Sequence, residues 1–224
     1  MLSDKICYPA NVENVERAII MLHGFGSNGA DLISLAPLMQ KELPNTIFYA
    51  PDAPYKLDFQ NSFKWFDIET DASAGVFSHF DYIQQLMGRT KDVLPFLDEF
   101  IEHVCQKHVL KKENVFLMGF SQGGLLVLMQ GLLSYPTVAG VIACSSVPIE
   151  INNELSLENI KSKPPILLTH GTADDIVPFT AFQITQNTLT NIGTTVRTHI
   201  VPGMGHSLDP SCVLEIIDFI KKTD

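Results

Sequence analysis

The chain has 224 residues, 46% of them hydrophobic, and a formal net charge of −10. At about 150 residues per domain this length predicts a single domain over residues 1–224, and the negative charge argues against nucleic acid as a partner because it would repel the phosphates. No apolar run approaches the ~18 residues of a membrane-spanning helix, and the first residues lack the pattern of a signal peptide, so we expect neither a transmembrane segment nor secretion.

Short apolar runs that end in glycine or proline alternate along the chain with longer amphipathic stretches. The apolar runs predict strands over residues 17–22, 46–50, 115–119, 138–144, 165–169 and 194–201. Apolar spacing and capping residues predict helices over residues 30–41, 90–108, 123–133, 178–189 and 210–222. Strands that alternate with helices predict an α/β fold, in which helices flank a mostly parallel central sheet.

Residues 51–89 do not follow this alternation. The segment mixes glycine, proline and serine with 8 aromatic residues and shows no clean period. We predict an irregular, aromatic-rich excursion from the sheet, since long loops in compact domains are usually functional or disordered, and the aromatic content argues against disorder. Irregular backbone cannot bury that many rings in a sheet core, so we expect some of them to face an apolar ligand.

The sharpest motif is GFSQGG at residues 119–124, between a predicted strand and a predicted helix. In that context GxSxG places a serine at the apex of a tight turn with its hydroxyl exposed, and the glycines avoid collisions within the turn. A serine hydroxyl is a poor nucleophile until a base takes its proton, so the chemistry also requires a histidine oriented by a carboxylate. We therefore predict that Ser121 is the nucleophile of a hydrolase.

The acid and the base follow in the expected chain order of serine, acid and histidine. HGTADD follows the strand at 165–169 and supplies Asp174 and Asp175, and GMGHS follows the strand at 194–201 and supplies His206. The negative charge that develops on the acyl carbonyl oxygen needs preorganised N–H donors. We expect them from Gln122, directly after the nucleophile, and from Phe25, in the glycine-rich turn after the first strand.

Two other functions compete for the same motifs. Residues 24–29 also match GxGxxG, and Asp52 follows the next strand, as in a dinucleotide-binding oxidoreductase. That function would leave the serine, acid and histidine motifs without a role. The second alternative is a non-catalytic binding module on a hydrolase scaffold, whose usual mark is a missing member of the triad, and here none is missing.

The cysteines and histidines do not suggest a metal site. His103 and His108 lie five positions apart on a predicted helix with Cys105 between them, so the two imidazoles point about 140° apart and cannot share a metal ion. Cys144 ends an apolar strand and is expected to be a small buried residue rather than a nucleophile. The four cysteines are widely spaced without a CxxC pair, which suits a reducing compartment, and we expect a cytoplasmic protein.

Taken together, five segments resemble the carboxylesterase/phospholipase family, which includes bacterial carboxylesterases and eukaryotic acyl-protein thioesterases. The segments are LHGFGSNG at 22–29, WFD at 65–67, GFSQGG at 119–124, HGTADDIVP at 170–178 and GMGHS at 203–207. The resemblance runs from about residue 17 to the C-terminus and implies an α/β-hydrolase fold. It also implies no cofactor and hydrolysis of carboxylic esters or thioesters with medium or long acyl chains.

Matched position by position, the resemblance assigns the nucleophile to Ser121, the acid to Asp174 and the base to His206. It assigns the oxyanion N–H groups to Phe25 and Gln122. In the thioesterases a proline often follows the acid, and Asp175 stands at that position here, which is a departure from the family pattern. The substrate stays open among a small ester, a lipid such as a lysophospholipid, and an acylated protein.

The substrate-binding residues are expected within the aromatic segment, which matches the family only at WFD. The candidates are Phe63, Trp65, Phe77 and Phe80. The alternative is that these rings pack the excursion against the body of the domain, and Trp65 in particular would then anchor the segment under the active site.

Overall fold

The computed structural model describes residues 4–8, 14–59, 61–68 and 80–223, and two kinds of element alternate along them. The strands are β1 (Asp4–Cys7), β2 (Arg17–Leu22), β3 (Thr46–Pro51), β4 (Tyr55–Lys56), β5 (Phe63–Lys64), β6 (Val115–Phe120), β7 (Gly140–Cys144), β8 (Ile166–Gly171) and β9 (Val196–Val201). The helices are α1 (Gly29–Ile33), α2 (Ala36–Gln40), α3 (Phe80–Arg89), α4 (Leu94–His108), α5 (Gln122–Leu133), α6 (Phe179–Asn191) and α7 (Pro210–Thr223).

Within the described ranges, seven of the strands form one sheet in the order β1-β3-β2-β6-β7-β8-β9. All neighbours are parallel except β1, which pairs antiparallel with β3 at the edge. This arrangement confirms the predicted α/β class with a mostly parallel sheet. No helix in the described part of the chain is long and apolar enough to cross a membrane.

The central strands of the sheet are buried on both faces, which explains why β2, β3, β6, β7 and β8 are largely apolar runs. On one face, Ile19 and Met21 of β2 pack in a cluster with residues of α1, α2 and α7. On the other face, Ile20 and Leu22 pack with residues of α3, α4, α5 and α6. Successive residues of a strand point to opposite faces, so one apolar strand serves both helical layers.

The predicted helix over residues 30–41 is wrong, because the structure has two short helices there. Pro37 stands in the first turn of α2 and has no N–H with which to continue the hydrogen-bonding of α1. At the start of α1, the side chain of Asn28 accepts hydrogen bonds from the N–H groups of Ala30 and Asp31. The strand β1 escaped prediction because four residues are too few to show a period.

The described parts of the segment 51–89 are more regular than expected. A two-stranded hairpin, β4 and β5, occupies its first part, and the ten-residue helix α3 occupies its end. Ile83, Leu86 and Met87 of α3 are buried at helical spacing against the body of the domain. The lack of a period in the residues before α3, together with the aromatic Phe80 and Tyr82 within it, hid this apolar pattern in the sequence.

The parallel strands β2, β6, β8 and β9 end at the same edge of the sheet, because their carboxyl ends point the same way. Each is followed by one of the motifs that the sequence analysis singled out. The fold therefore places the glycine-rich turn, the serine turn, the aspartate loop and the histidine loop side by side, at the edge where open α/β sheets commonly bind ligands.

Candidate active site

The serine turn has the strained geometry that its glycines predict. Ser121 has φ 55° and ψ −113°, a positive φ that a residue with a side chain rarely adopts. A Cβ on Gly119 would lie 2.1 Å from Gly123 O, and a Cβ on Gly123 would lie 2.1 Å from Leu22 O. Both positions therefore require glycine. Ser121 N donates to Cys144 O at 2.9 Å, which fixes the apex of the turn against β7.

The acid and the base are in direct contact, and the contact selects between the two aspartates. The imidazole Nδ1 of His206 lies 2.8 Å from Asp174 Oδ2. The other carboxylate oxygen, Oδ1, accepts from Ile176 N at 3.0 Å and from Val177 N at 2.8 Å. Asp174 is buried by these contacts, whereas Asp175 is exposed. The carboxylate next to His206 is thus Asp174, as the family register implies.

The imidazole of His206, the predicted base, contacts an aromatic ring of the serine turn. The rings of His206 and Phe120 have centroids 4.7 Å apart. Among the described residues neither Ser121 Oγ nor His206 Nε2 makes a hydrogen bond, so the contact needed for proton transfer is not yet formed. Catalytic hydrogen bonds often tighten only when substrate is bound, so this geometry is compatible with the predicted roles.

A second histidine, His170, also lies close to Asp174, and the sequence motifs did not predict this contact. His170 is buried at the end of β8, and its Nε2 lies 2.8 Å from Val177 O and 3.4 Å from Asp174 Oδ2. Burial lowers the pKa of His170, against the opposing effects of the Val177 hydrogen bond and the Asp174 charge. A neutral imidazole leaves no second positive charge to compete with His206 for the carboxylate. The available sequence signal for this contact was that His170 is the first residue of the HGTADD motif, four positions before Asp174.

The two predicted oxyanion donors are in the serine turn and in the glycine-rich turn that approaches it. A Cβ on Gly24 would lie 3.3 Å from Ser121 Cβ, so the glycine-rich turn approaches the serine closely. Among the described residues, the backbone N–H groups of Phe25 and Gln122 donate to no acceptor of the protein. An oxyanion needs N–H donors that no protein acceptor occupies, so this arrangement is compatible with the predicted roles.

The predicted substrate-binding aromatics have different environments. Phe63 is half-buried and packs against the core. Trp65 is completely buried, and its indole N–H donates to a backbone carbonyl, so it is not part of the surface in this structure. Phe77 lies outside the described residues. Phe80 begins α3, but its side chain also lies outside the described part.

The residues behind the rejected alternatives have local structural roles. Asp52 Oδ1 accepts from Gly29 N at 2.8 Å and thereby holds the start of α1, a task other than binding a ribose. His108 Nε2 lies 2.7 Å from Tyr49 OH. Cys144 is fully buried, and burial raises the pKa of its thiol to about 12, so it is a poor nucleophile.

Comparisons with known proteins find relatives that match nearly the whole chain. A family model described as phospholipase/carboxylesterase matches residues 9–224. Carboxylesterase SOBER1 of Arabidopsis thaliana is 31% identical over 210 residues, which cover 91% of this chain and 89% of that protein. Acyl-protein thioesterase 1 of Eremothecium gossypii is 28% identical over 221 residues, with coverage of 95% and 90%. The crystal structure of esterase PE8 superposes with a TM-score of 0.88 at 29% identity, over 100% of this chain and 99% of that one.

Proposed function

The chain belongs to the phospholipase/carboxylesterase family of α/β-hydrolases and is a serine hydrolase of ester or thioester bonds, and from this premise we propose that Ser121, His206 and Asp174 form its catalytic triad. The observation that carries the proposal is the 2.8 Å contact between His206 Nδ1 and Asp174 Oδ2, next to the strained serine turn. A carboxylate in this position holds the imidazole in the tautomer that leaves Nε2 able to accept a proton.

In the proposed reaction, Ser121 Oγ attacks the acyl carbonyl carbon while His206 Nε2 accepts the hydroxyl proton. Asp174 stabilises the imidazolium that forms, and the N–H groups of Phe25 and Gln122 donate to the oxyanion. The tetrahedral intermediate collapses when His206 protonates the leaving alcohol or thiol, which leaves the acyl group on the serine. Water that is deprotonated by the same histidine then hydrolyses the acyl-enzyme. Apart from the substrate and water, the proposed reaction needs only groups of this chain and no cofactor.

We propose that the acyl chain is of medium or long length and is carried by a small molecule, a lipid or a protein. Phe25 of the glycine-rich turn and Ile176 of the aspartate loop support an apolar acyl group, because both are large apolar residues that are exposed in loops of the site. The names of the relatives support both oxygen and sulfur leaving groups. We also propose a single domain over residues 1–224 in the cytoplasm, which the four free thiols support.

The test is a matrix of p-nitrophenyl esters and acyl thioesters from two to sixteen carbons, combined with labelling by a fluorophosphonate probe. We expect the probe to label Ser121 and kcat/KM to rise from acetyl to octanoyl. A main activity as an acyl-protein thioesterase or lysophospholipase is the second candidate, favoured by the thioesterase among the relatives. A protein with this main activity would prefer thioesters or lysophospholipids to p-nitrophenyl esters of equal acyl chain length. Failure of the probe to label the folded chain would contradict the proposed function.

A further inference from the structure

Trp65 links two loops of the candidate active site. Its indole Nε1–H donates to His23 O at 2.8 Å, and its backbone N–H donates to Gln122 Oε1 at 2.9 Å. The Gln122 side chain is completely buried as well, and its Nε2 donates back to Phe66 O at 2.9 Å. The WFD segment is thus bonded on one side to the loop after β2 and on the other side to the residue that follows Ser121.

A second set of hydrogen bonds holds the loop after β2, a few residues beyond His23. Gly26 N donates to Phe63 O and Phe63 N donates to Ser27 O, both at 2.9 Å, in an isolated bridge between the loop and the hairpin. Together with the carbonyl of His23, these contacts fix the backbone on both sides of Phe25. The proposed oxyanion donor therefore lies between two anchored points, both provided by residues 63–65.

The ring of His23 sets the direction of the Phe25 N–H. Its Nε2 accepts from Ala53 N at 3.0 Å, so the proton is on Nδ1, which donates to Gly24 O at 2.7 Å. Burial lowers the pKa of His23, and the ring therefore stays neutral and keeps this assignment. The Gly24 carbonyl and the Phe25 N–H belong to one planar trans peptide, so a carbonyl held by His23 points the N–H in the opposite direction.

We propose that Trp65 and the Gln122 side chain act as a clamp that sets the distance and orientation of the two oxyanion donors. The clamp consists of the three hydrogen bonds from Trp65 to His23 and between Gln122 and residues 65–66. The proposal rests on the proposed function, because it assumes that Phe25 and Gln122 bind the oxyanion. The two donors follow different strands, and transition-state stabilisation depends on their placement to a fraction of an ångström. Trp65 and the Gln122 amide are thus positioning residues.

Two variants each break part of the clamp and leave both donors in the chain. Trp65→Phe deletes the indole N–H and keeps an aromatic ring, and Gln122→Met deletes both amide hydrogen bonds and keeps the backbone N–H. We expect kcat per fluorophosphonate-titrated site to fall about 10-fold or more in each, with KM within about twofold, because a donor misplaced in the transition state affects mainly kcat. When the two substitutions are combined, their effects on kcat should be less than additive, since each breaks the same clamp.

A matched control lies in the same helix. Gln130 is a second buried glutamine of α5, and its Nε2 donates to Asp98 Oδ1 at 3.2 Å, far along the helix from the serine turn. Gln130→Met should lower the thermal unfolding midpoint as Gln122→Met does, while kcat per titrated site stays near that of the wild type. The comparison separates a role in positioning from a role in stability alone.

A second readout reports the oxyanion site directly. An alkyl boronic acid forms a tetrahedral adduct with the serine, so its affinity should fall in Trp65→Phe and Gln122→Met by the same factor as kcat/KM. Values of kcat and boronic acid affinity within twofold of the wild type in Trp65→Phe would overturn the clamp, and this variant decides the question if Gln122→Met fails to fold. Wild-type protein that the fluorophosphonate does not label would instead overturn the proposed function itself.

Discussion

The loops at the strand ends and the segment 51–89 meet at the same edge of the sheet, but their sequences determine their structures in different ways. In the serine turn the glycines are fixed by contact, since Gly119 and Gly123 have no room for a Cβ, and Ser121 between them takes a positive φ. In the segment 51–89 only the overall composition is distinctive. The rings that the structure describes there range from completely buried Trp65 to Phe59, which is 56% exposed.

This difference shows that a motif predicts where a particular residue lies in the fold. An aromatic-rich composition predicts only that the segment holds many rings, and not where each ring packs. The hydrogen bonds of Trp65, and not its aromaticity, determine where it lies, because a buried indole N–H needs an acceptor. A catalytic turn and a neighbouring segment can therefore depend on each other although only one of them carries a recognisable reactive group. Substitutions that affect one region and spare the other measure this dependence.

The largest expected effect comes from the serine turn. Ser121→Ala should lower ester hydrolysis by roughly 10⁴-fold or more and abolish fluorophosphonate labelling, because the variant has no nucleophile. Circular dichroism and the unfolding midpoint should stay close to those of the wild type, since the hydroxyl makes no hydrogen bond among the described residues. A variant that keeps more than about a tenth of the wild-type turnover would falsify the assignment, since that loss is under ~1.4 kcal/mol of barrier.

The next effect separates two adjacent carboxylates. Asp174→Asn should reduce turnover by up to ~10⁴-fold, because the amide no longer stabilises the imidazolium and can favour the wrong tautomer of His206. Asp175→Asn provides the matched control and should change turnover little, since Asp175 is exposed and Asp174 makes the contact with His206. Steady-state kinetics at saturating ester decide the matter. If the two variants behaved the other way round, the acid would be Asp175.

The sequence predicted most of the sheet and the order of the candidate catalytic loops, because buried parallel strands and glycine-rich turns leave strong local patterns. The family pattern favoured Asp174 over Asp175 as the acid, but the contact with His206 that distinguishes the two aspartates exists only in space. The sequence could not show that His170 approaches the carboxylate or that Trp65 bonds to His23. Such contacts join residues far apart in the chain, and no local pattern encodes their geometry.

The third effect is on the free energy of unfolding. It concerns two buried histidines, one directly after β2 and one near the end of β8. Burial lowers the pKa of both His23 and His170 in the folded chain. The unfolded chain, in which histidine has a pKa near ~6.5, therefore binds more protons than the folded chain as the pH falls below that value. The free energy of unfolding should decrease from about pH 6.5 downward, by up to ~1.4 kcal/mol per pH unit for each histidine.

Urea unfolding between pH 8 and pH 5 tests this expectation. His170→Gln should lower the free energy of unfolding at pH 8, where the imidazole contributes its hydrogen bond to Val177 O, but it should make the decrease toward pH 5 shallower. The slope, and not the absolute stability, is the quantity to compare. An unchanged slope in His170→Gln would show that this histidine takes up protons equally in both states.

The smallest effect concerns the aromatic segment itself and asks whether Phe63 contacts the acyl chain. Phe63 is half-buried next to the glycine-rich turn, to which its backbone is bonded on both sides, so its ring is well placed to reach a substrate. Phe63→Ala should lower kcat/KM for an octanoyl ester more than for an acetyl ester. Each methylene that loses its contact costs ~0.8 kcal/mol, or about fourfold in kcat/KM. Phe96→Ala, which removes an exposed ring from α4, is the control and should leave the ratio of the two esters unchanged. An equal loss on both esters would mean that Phe63 supports the oxyanion loop in the way Trp65 does, and that the acyl chain binds elsewhere.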